Sequence, residues 1–127
     1  MTGDKTTFGT QVWPTEIKLD REEKTLTVSF ESGEVFTYPA EFLRVESPSA
    51  EVRGHGNDEK KIVPGRRHVG ITNVEAIGNY AIRIEFDDTH DTGIYSWTYL
   101  HDLGRNQQAI WRRYMTALEA QGLSRDP

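Results

Sequence analysis

Apolar and polar residues alternate with a period of two in two stretches, Leu26–Phe30 and Tyr80–Phe86. Alternation of this kind is typical of a half-buried strand, because successive side chains point to opposite faces of a sheet. A turn and a short return strand follow each stretch, at Val35–Tyr38 and at Ile94–Tyr95. Ile17 and Leu19 predict one further strand before the first stretch, and Ile71, Val74 and Ile77 predict another before the second, with a turn at Gly78-Asn79. The pattern therefore predicts two β-hairpins.

A short helix is predicted after each hairpin. Pro39 suits the first turn of a helix over residues 40–44, and Ser96 is a good N-cap for a helix from residue 97 that ends at Gly104. A longer amphipathic helix is predicted over residues 107–120, ending at Gly122. Its apolar residues recur at three- and four-residue spacing: Ile110, Trp111, Tyr114, Leu118 and Met115.

The two hairpin–helix units resemble each other, since both end on a tyrosine that precedes an aromatic–leucine pair: Tyr38 before Phe42-Leu43, and Tyr95 before Tyr99-Leu100. Single hairpins are marginal in water, so the two units are expected to pair their sheets or to share a core. The predicted class is α+β, a mainly antiparallel sheet of two pseudo-repeats with a C-terminal helix. The expected divisions are a flexible leader at 1–12, a domain at 13–104 and the helical end at 105–127.

Composition limits the possible functions. The chain has 127 residues, no cysteine and a net charge of −5, so disulfides and thiolate metal sites are excluded. The acidic balance argues against nucleic-acid binding, and no apolar run is long enough to cross a membrane. A cytoplasmic protein is expected. The C-terminal segment is an exception to the acidic balance, because residues 105–127 carry four Arg against one Glu and one Asp.

The densest group of potential metal ligands is Asp87-Asp88-Thr89-His90-Asp91. A histidine among carboxylates can hold a divalent ion or act as a general base, and His90, Asp88 and Asp91 are the candidate metal ligands. The same residue types are common in hairpin turns, so a structural role stays open. No Gly-x-Ser-x-Gly motif marks a serine nucleophile.

A second candidate site is the basic, glycine-rich stretch that precedes the second hairpin. It could meet an anionic ligand or a partner, although a solvated loop has the same composition. Its candidate binding residues are Arg53, His55, Lys60, Lys61, Arg66, Arg67 and His68.

Four segments together resemble the gamma-butyrobetaine hydroxylase-like N-terminal domain family, in its small standalone bacterial branch. They are Trp13–Ile17, Phe42–Val52, Gly78–Ala81 and Phe86–Trp97. The resemblance implies that, in the eukaryotic hydroxylases, this domain precedes an iron- and 2-oxoglutarate-dependent catalytic domain. There it holds a structural zinc through three Cys and one His and supports dimerisation.

The resemblance places the three cysteine positions of the family motif on Ser47, Ser49 and Val52, and the histidine on His90. It therefore implies that the zinc site is lost. No cofactor is expected, although iron or another divalent metal on His90 stays open. A domain of this family is also fused to P-loop ATPases that deliver iron–sulfur clusters, which suggests a protein partner in that assembly machinery.

The sequence thus favours a non-catalytic binding or adaptor domain, and no catalytic residue is assigned. Two alternatives stay open: a metal-binding protein that uses His90 and neighbouring aspartates, and an accessory protein of carnitine metabolism. The second is implied by the resemblance alone.

Overall fold

The structure, a computed structural model, describes residues 12–49 and 61–127. These residues form six strands and three helices. The first half contains β1 (Pro14–Asp20), β2 (Thr25–Phe30), β3 (Val35–Pro39) and α1 (Ala40–Val45). The second half contains β4 (Ile71–Ile77), β5 (Ala81–Phe86), β6 (Gly93–Ser96), α2 (Trp97–Arg105) and α3 (Gln107–Ala120).

Each half is a three-stranded antiparallel meander followed by a short helix, in the strand orders β1-β2-β3 and β4-β5-β6. The α+β class and the two pseudo-repeats are confirmed. The strands form two sheets, and the strand before each hairpin is one that the pattern predicts, β1 with Ile17 and Leu19 and β4 with Ile71, Val74 and Ile77. The two sheets share one core because both central strands turn their alternate apolar residues inward, Leu26 and Val28 from β2 and Ile82 and Ile84 from β5.

Two tyrosines join the halves reciprocally. The hydroxyl of Tyr38 donates to the carbonyl of Leu100 at 2.6 Å, and the hydroxyl of Tyr95 donates to the carbonyl of Leu43 at 2.5 Å. Both tyrosines are fully buried, and burial raises the pKa of each above its ordinary value. The tyrosine of each repeat thus caps a backbone carbonyl of the other repeat's helix.

The predicted helix start at Ser96 is confirmed, since Ser96 Oγ accepts a hydrogen bond from the backbone N–H of Tyr99 at 3.1 Å. The predicted end at Gly104 is wrong, because α2 continues to Arg105 and its C-cap is Asn106. Gly104 is needed for a different reason. A Cβ on residue 104 would collide with the ring of Phe36, so the glycine lets the helix approach the first sheet.

The last helix is amphipathic as predicted. Tyr114 and Leu118 are buried on its inner face, with Trp111 partly buried beside them, and they form a smaller core with Val45 of α1. Met115 does not belong to that face, because it is 38% exposed. Gly122 follows the helix at a φ of +67°, which suits a glycine that ends a helix. No helix within the described residues has both the length and the apolar character to cross a membrane.

Candidate functional site

His90 lies in the turn between β5 and β6, and the backbone of this turn is fixed on both sides of it. The N–H of Phe86 donates to the His90 carbonyl at 3.0 Å, and the N–H of His90 donates to Asp88 Oδ1 at 3.1 Å. Thr89 adopts a φ of +71°, which is unfavourable for a β-branched residue. The turn therefore holds His90 in one orientation.

The loop after α1 supplies the partners of His90. Ser47 is fully buried and Ser49 is 8% exposed. The Oγ atom of Ser47 also accepts a hydrogen bond from the backbone N–H of Ser49 at 3.3 Å, which fixes the short path between them. The two hydroxyls therefore lie on the same side of the loop and face the β5–β6 turn.

Ser47, Ser49 and His90 meet in a buried serine–histidine cluster. His90 Nε2 lies 2.9 Å from Ser47 Oγ and 3.4 Å from Ser49 Oγ, and His90 is 6% exposed. Gly93 makes room for the cluster, because a Cβ on residue 93 would stand 2.5 Å from Ser47 Oγ. The structure thus brings together three of the four positions that the resemblance aligns with zinc ligands. The fourth, Val52, lies outside the described residues.

The residues of this cluster do not fit a zinc ion. Structural zinc sites use thiolates and imidazoles, and metal binding requires ligands that are readily deprotonated. Serine hydroxyls meet neither condition, and here they lie at hydrogen-bonding distance from the imidazole nitrogen. In residues 12–49 and 61–127, no group of three or more His, Cys, Asp or Glu residues could hold a metal ion.

Asp88 is engaged by arginines. Its Oδ2 lies 2.8 Å from the Nε atoms of both Arg44 and Arg66. Although burial raises the pKa of Asp88, the His90 N–H, the Arg44 hydrogen bond and the two positive charges outweigh it and hold the pKa below its ordinary value. The exposed Asp91 accepts from Arg83 through its backbone carbonyl. A shared divalent ion on His90, Asp88 and Asp91 stays a prediction that the arrangement of these described residues does not support.

The basic candidate residues are only partly described, since Arg53, His55 and Lys60 lie outside the described residues. Arg66 pairs with Asp88, and Arg67 pairs with Asp126 at 2.6 Å. Lys61 and His68 are exposed. The carboxylates beside Arg66 and Arg67 reduce the positive potential that an anion would meet there.

A different basic surface lies on α3. Its outer face, formed by Ala109, Arg112, Arg113, Thr116, Ala117 and Ala120, lines a groove of about 540 Å³. A second groove of about 610 Å³ shares Ala109 and Arg112 and extends towards Arg105. Arg112 and Arg113 are exposed and form no ion pair with another described residue. We call this surface the α3 outer face.

Three charged residues in and directly after α1 are buried although no sequence pattern marked them: Glu41, Arg44 and Glu46, which are 7%, 8% and 4% exposed. Two of them form ion pairs with distant residues. Arg44 pairs with Asp88, and Glu41 pairs with Arg125 at 2.7 Å. Each pair joins positions that are far apart in the chain, and no local motif marks them. Only the unusual composition of α1, where every residue is buried, could have drawn attention to them.

Comparisons with known proteins agree with the resemblance. The family model described as gamma-butyrobetaine hydroxylase-like, N-terminal, matches residues 17–101. A comparison with curated proteins gives no match. Two proteins solved by NMR in solution are similar over most of the chain. One is 44% identical to this chain with a TM-score of 0.80, and the match covers 96% of this chain and 91% of that protein. The other is 43% identical with a TM-score of 0.79, and covers 91% of this chain and 90% of its own.

A crystal structure of a protein of unknown function from Acidithiobacillus ferrooxidans, assigned to the DUF971 family, is also similar. It is 34% identical to this chain with a TM-score of 0.61, and the match covers 72% of this chain and 91% of that protein. The matched segment 17–101 contains both repeats, both interlocking tyrosines and the serine–histidine cluster. The chain belongs to the gamma-butyrobetaine hydroxylase-like N-terminal domain family.

Proposed function

We propose that this chain is a non-catalytic binding domain that docks an acidic protein partner on the α3 outer face. The observation that carries the proposal is the pair of exposed arginines, Arg112 and Arg113, which line a groove together with small residues of α3. The chain as a whole has a net charge of −5. A local positive surface on an acidic protein steers oppositely charged partners to one place.

The buried positions of the chemically versatile residues support a binding role. The hydroxyl of Ser47 is fully buried and lies 2.9 Å from His90 Nε2, so a substrate would have to displace core packing to reach it. A nucleophile has to contact the reacting atom directly. The serine–histidine cluster instead links the loop after α1 to the β5–β6 turn.

The shape of the α3 outer face suits an extended or helical acidic segment. Ala109, Ala117 and Ala120 leave room for close approach of a partner backbone, which shortens the distance between packed helices. Arg112 and Arg113 then stand beside the groove where they can meet carboxylates. Proteins of iron–sulfur cluster assembly are the first partners to test, because the family resemblance implies that association. A place in carnitine metabolism rests on the resemblance alone.

The experiment is quantitative affinity capture with the purified chain as bait and an extract of its source cells. The informative variant is Arg112→Glu/Arg113→Glu. The matched control is Lys18→Glu/Lys61→Glu, which makes the same change in charge at two exposed lysines outside α3. We expect at least one protein with an acidic surface to be retained by the wild type and the control, and lost by the α3 variant.

Salt provides the second criterion. Charge-mediated docking weakens as ionic strength rises, since the Debye length falls from ~10 Å at 0.1 M to ~3 Å at 1 M. Retention that is equal for all three baits, or that is insensitive to salt, would contradict docking at the α3 outer face. Direct titration of the captured protein with each bait then measures the loss of affinity.

A further inference from the structure

A buried carboxylate on α1 is paired with the C-terminal tail. Glu41 lies in the first turn of α1 and is 7% exposed. The Arg125 guanidinium binds it as a fork, with Nε donating to Oε2 at 2.8 Å and Nη2 donating to Oε1 at 2.7 Å. Two parallel hydrogen bonds of this kind match the planar guanidinium specifically, and an ammonium group cannot form them.

An aromatic wall completes the recognition of the guanidinium. The Cζ atom of Arg125 lies 5.3 Å from the ring centroid of Trp111, a distance at which a cation is attracted by the ring face. Phe42 packs on Trp111 with a centroid distance of 6.3 Å. Glu41 and Trp111 thus present a guanidinium-shaped site between α1 and α3.

Arg125 fills only part of this site. A cavity of about 340 Å³ remains beside it. Its lining residues are Pro39, Glu41, Phe42, Gln107, Gln108, Trp111 and Arg125 itself. The Arg125 side chain is 25% exposed, so it reaches the site from the solvent side. The site therefore has room for a ligand that extends beyond the guanidinium.

The tail that carries Arg125 is held at the surface by polar contacts, which include the Arg67–Asp126 ion pair at 2.6 Å. The backbone pairs twice with the segment before β4, through Gly65 N–H to Ser124 O at 2.9 Å and Arg67 N–H to Arg125 O at 3.0 Å. The side chains of Ser124, Asp126 and Pro127 lie outside the two apolar cores. The tail can therefore leave without opening either core, and its departure would leave Glu41 with an unpaired buried charge.

We propose that the Glu41–Trp111 pocket is a guanidinium-binding site, which the chain's own Arg125 occupies and in which an arginine side chain of a partner protein can replace it. The proposal goes beyond docking at the α3 outer face, because it uses Glu41 and Trp111 rather than Arg112 and Arg113. Either proposal can fail while the other holds.

The first test is chemical rescue of the full-length Arg125→Ala variant. Removal of the guanidinium is expected to lower the unfolding temperature, and low-millimolar ethylguanidinium is expected to restore at least about half of the loss with a saturable dose dependence. Ethylammonium and sodium chloride at equal concentration should restore much less. The Glu41→Gln/Arg125→Ala variant should not respond to ethylguanidinium.

The second test uses the tetrapeptide Ser-Arg-Asp-Pro, which has the sequence of Ser124–Pro127, and its Ser-Ala-Asp-Pro counterpart. Because the tethered tail competes at a high effective concentration, the arginine peptide should bind Arg125→Ala at least about tenfold more tightly than the wild type. The alanine peptide should bind neither protein.

Two results would overturn the proposal. One is an equal response of Arg125→Ala to ethylguanidinium and ethylammonium. The other is equal affinity of the arginine peptide for Arg125→Ala and the wild type. If Arg125→Ala does not fold, Arg125→Gln replaces it, because glutamine keeps much of the side-chain volume without the charge. The ethylguanidinium and peptide titrations of Arg125→Gln then test the proposal by the same two criteria.

Discussion

The reciprocal tyrosines offer the most direct test of how the two repeats are joined. Tyr38→Phe and Tyr95→Phe each remove one hydroxyl and keep the ring, so the packing of the core is preserved. Each change leaves a buried carbonyl, that of Leu100 or of Leu43, without its donor. An unsatisfied buried acceptor costs about 1–3 kcal/mol, more than the ~1 kcal/mol of an average hydrogen bond.

The two variants should lose similar amounts of stability from these two hydrogen bonds, although the Tyr95 hydroxyl also interacts with the Ser47 side chain. Both tyrosines are fully buried, and the two hydrogen bonds are 2.6 Å and 2.5 Å long. Urea unfolding followed by circular dichroism measures the free energy of unfolding. Tyr80→Phe is the matched control, since Tyr80 is 49% exposed, and its change should stay within about 0.5 kcal/mol of zero.

The reasoning would be refuted by either of two results. A loss below about 0.5 kcal/mol for either buried variant would show that its carbonyl is satisfied in another way. A difference above about 2 kcal/mol between the two variants would show that the repeats are not joined equivalently. The double variant should lose about the sum of the two single losses, because each hydroxyl serves a different carbonyl.

Three further predictions follow from the core and the cluster. Gly104→Ala should lower the free energy of unfolding, measured by urea titration, by at least ~1 kcal/mol because the added Cβ collides with the ring of Phe36. A Gly-to-Ala change ordinarily stabilises a helix, so the sign is diagnostic. Adding Phe36→Leu to the Gly104→Ala variant should recover part of the loss. Ser47→Cys/Ser49→Cys should bind Co²⁺ with a thiolate-to-cobalt absorption band that Ser47→Ala/Ser49→Ala lacks, and absence of the band would contradict the alignment of these positions with metal ligands. Burial raises the pKa of Tyr114 from 10.0 to about 12, so the folded state holds this proton more tightly than the unfolded state does. The contribution of Tyr114 to the free energy of unfolding should therefore be full below pH 10 and fall between pH 10 and 12. In Tyr114→Phe the free energy of unfolding should fall less steeply over the same range.

The sequence predicted the elements that local physical chemistry determines. The alternation in Leu26–Phe30 and Ala81–Phe86 corresponds to the two central strands β2 and β5. The hydroxyl of Ser96 caps α2 as expected. The end of α2 at Gly104 was wrong, because the signal for a C-cap is local whereas the need for a glycine there comes from Phe36 of the other repeat.

Pairings between distant parts of the chain could not be derived from the pattern. The hydrophobic period cannot tell one sheet from two sheets that share a core. The closeness of His90 to Ser47 and Ser49 is implied only by the family resemblance, which aligns all three positions with ligands of one zinc site. No motif relates Glu41 to Arg125, and their pairing depends on how α1, α3 and the tail fold against one another.

The serine–histidine cluster changes how the stability of this fold must be distributed. A structural zinc contributes on the order of 10 kcal/mol to the folding of a small domain, whereas a hydrogen bond contributes about 1 kcal/mol. The Ser47–His90 and Ser49–His90 contacts therefore hold the loop after α1 in place without replacing the energy of a metal. The remainder has to come from the shared core and from the Tyr38 and Tyr95 anchors, of which Tyr95 binds Leu43, just four residues before Ser47. In this chain the interlocked tyrosines thus hold the two repeats together at a position where the family resemblance implies an additional zinc in the eukaryotic hydroxylases.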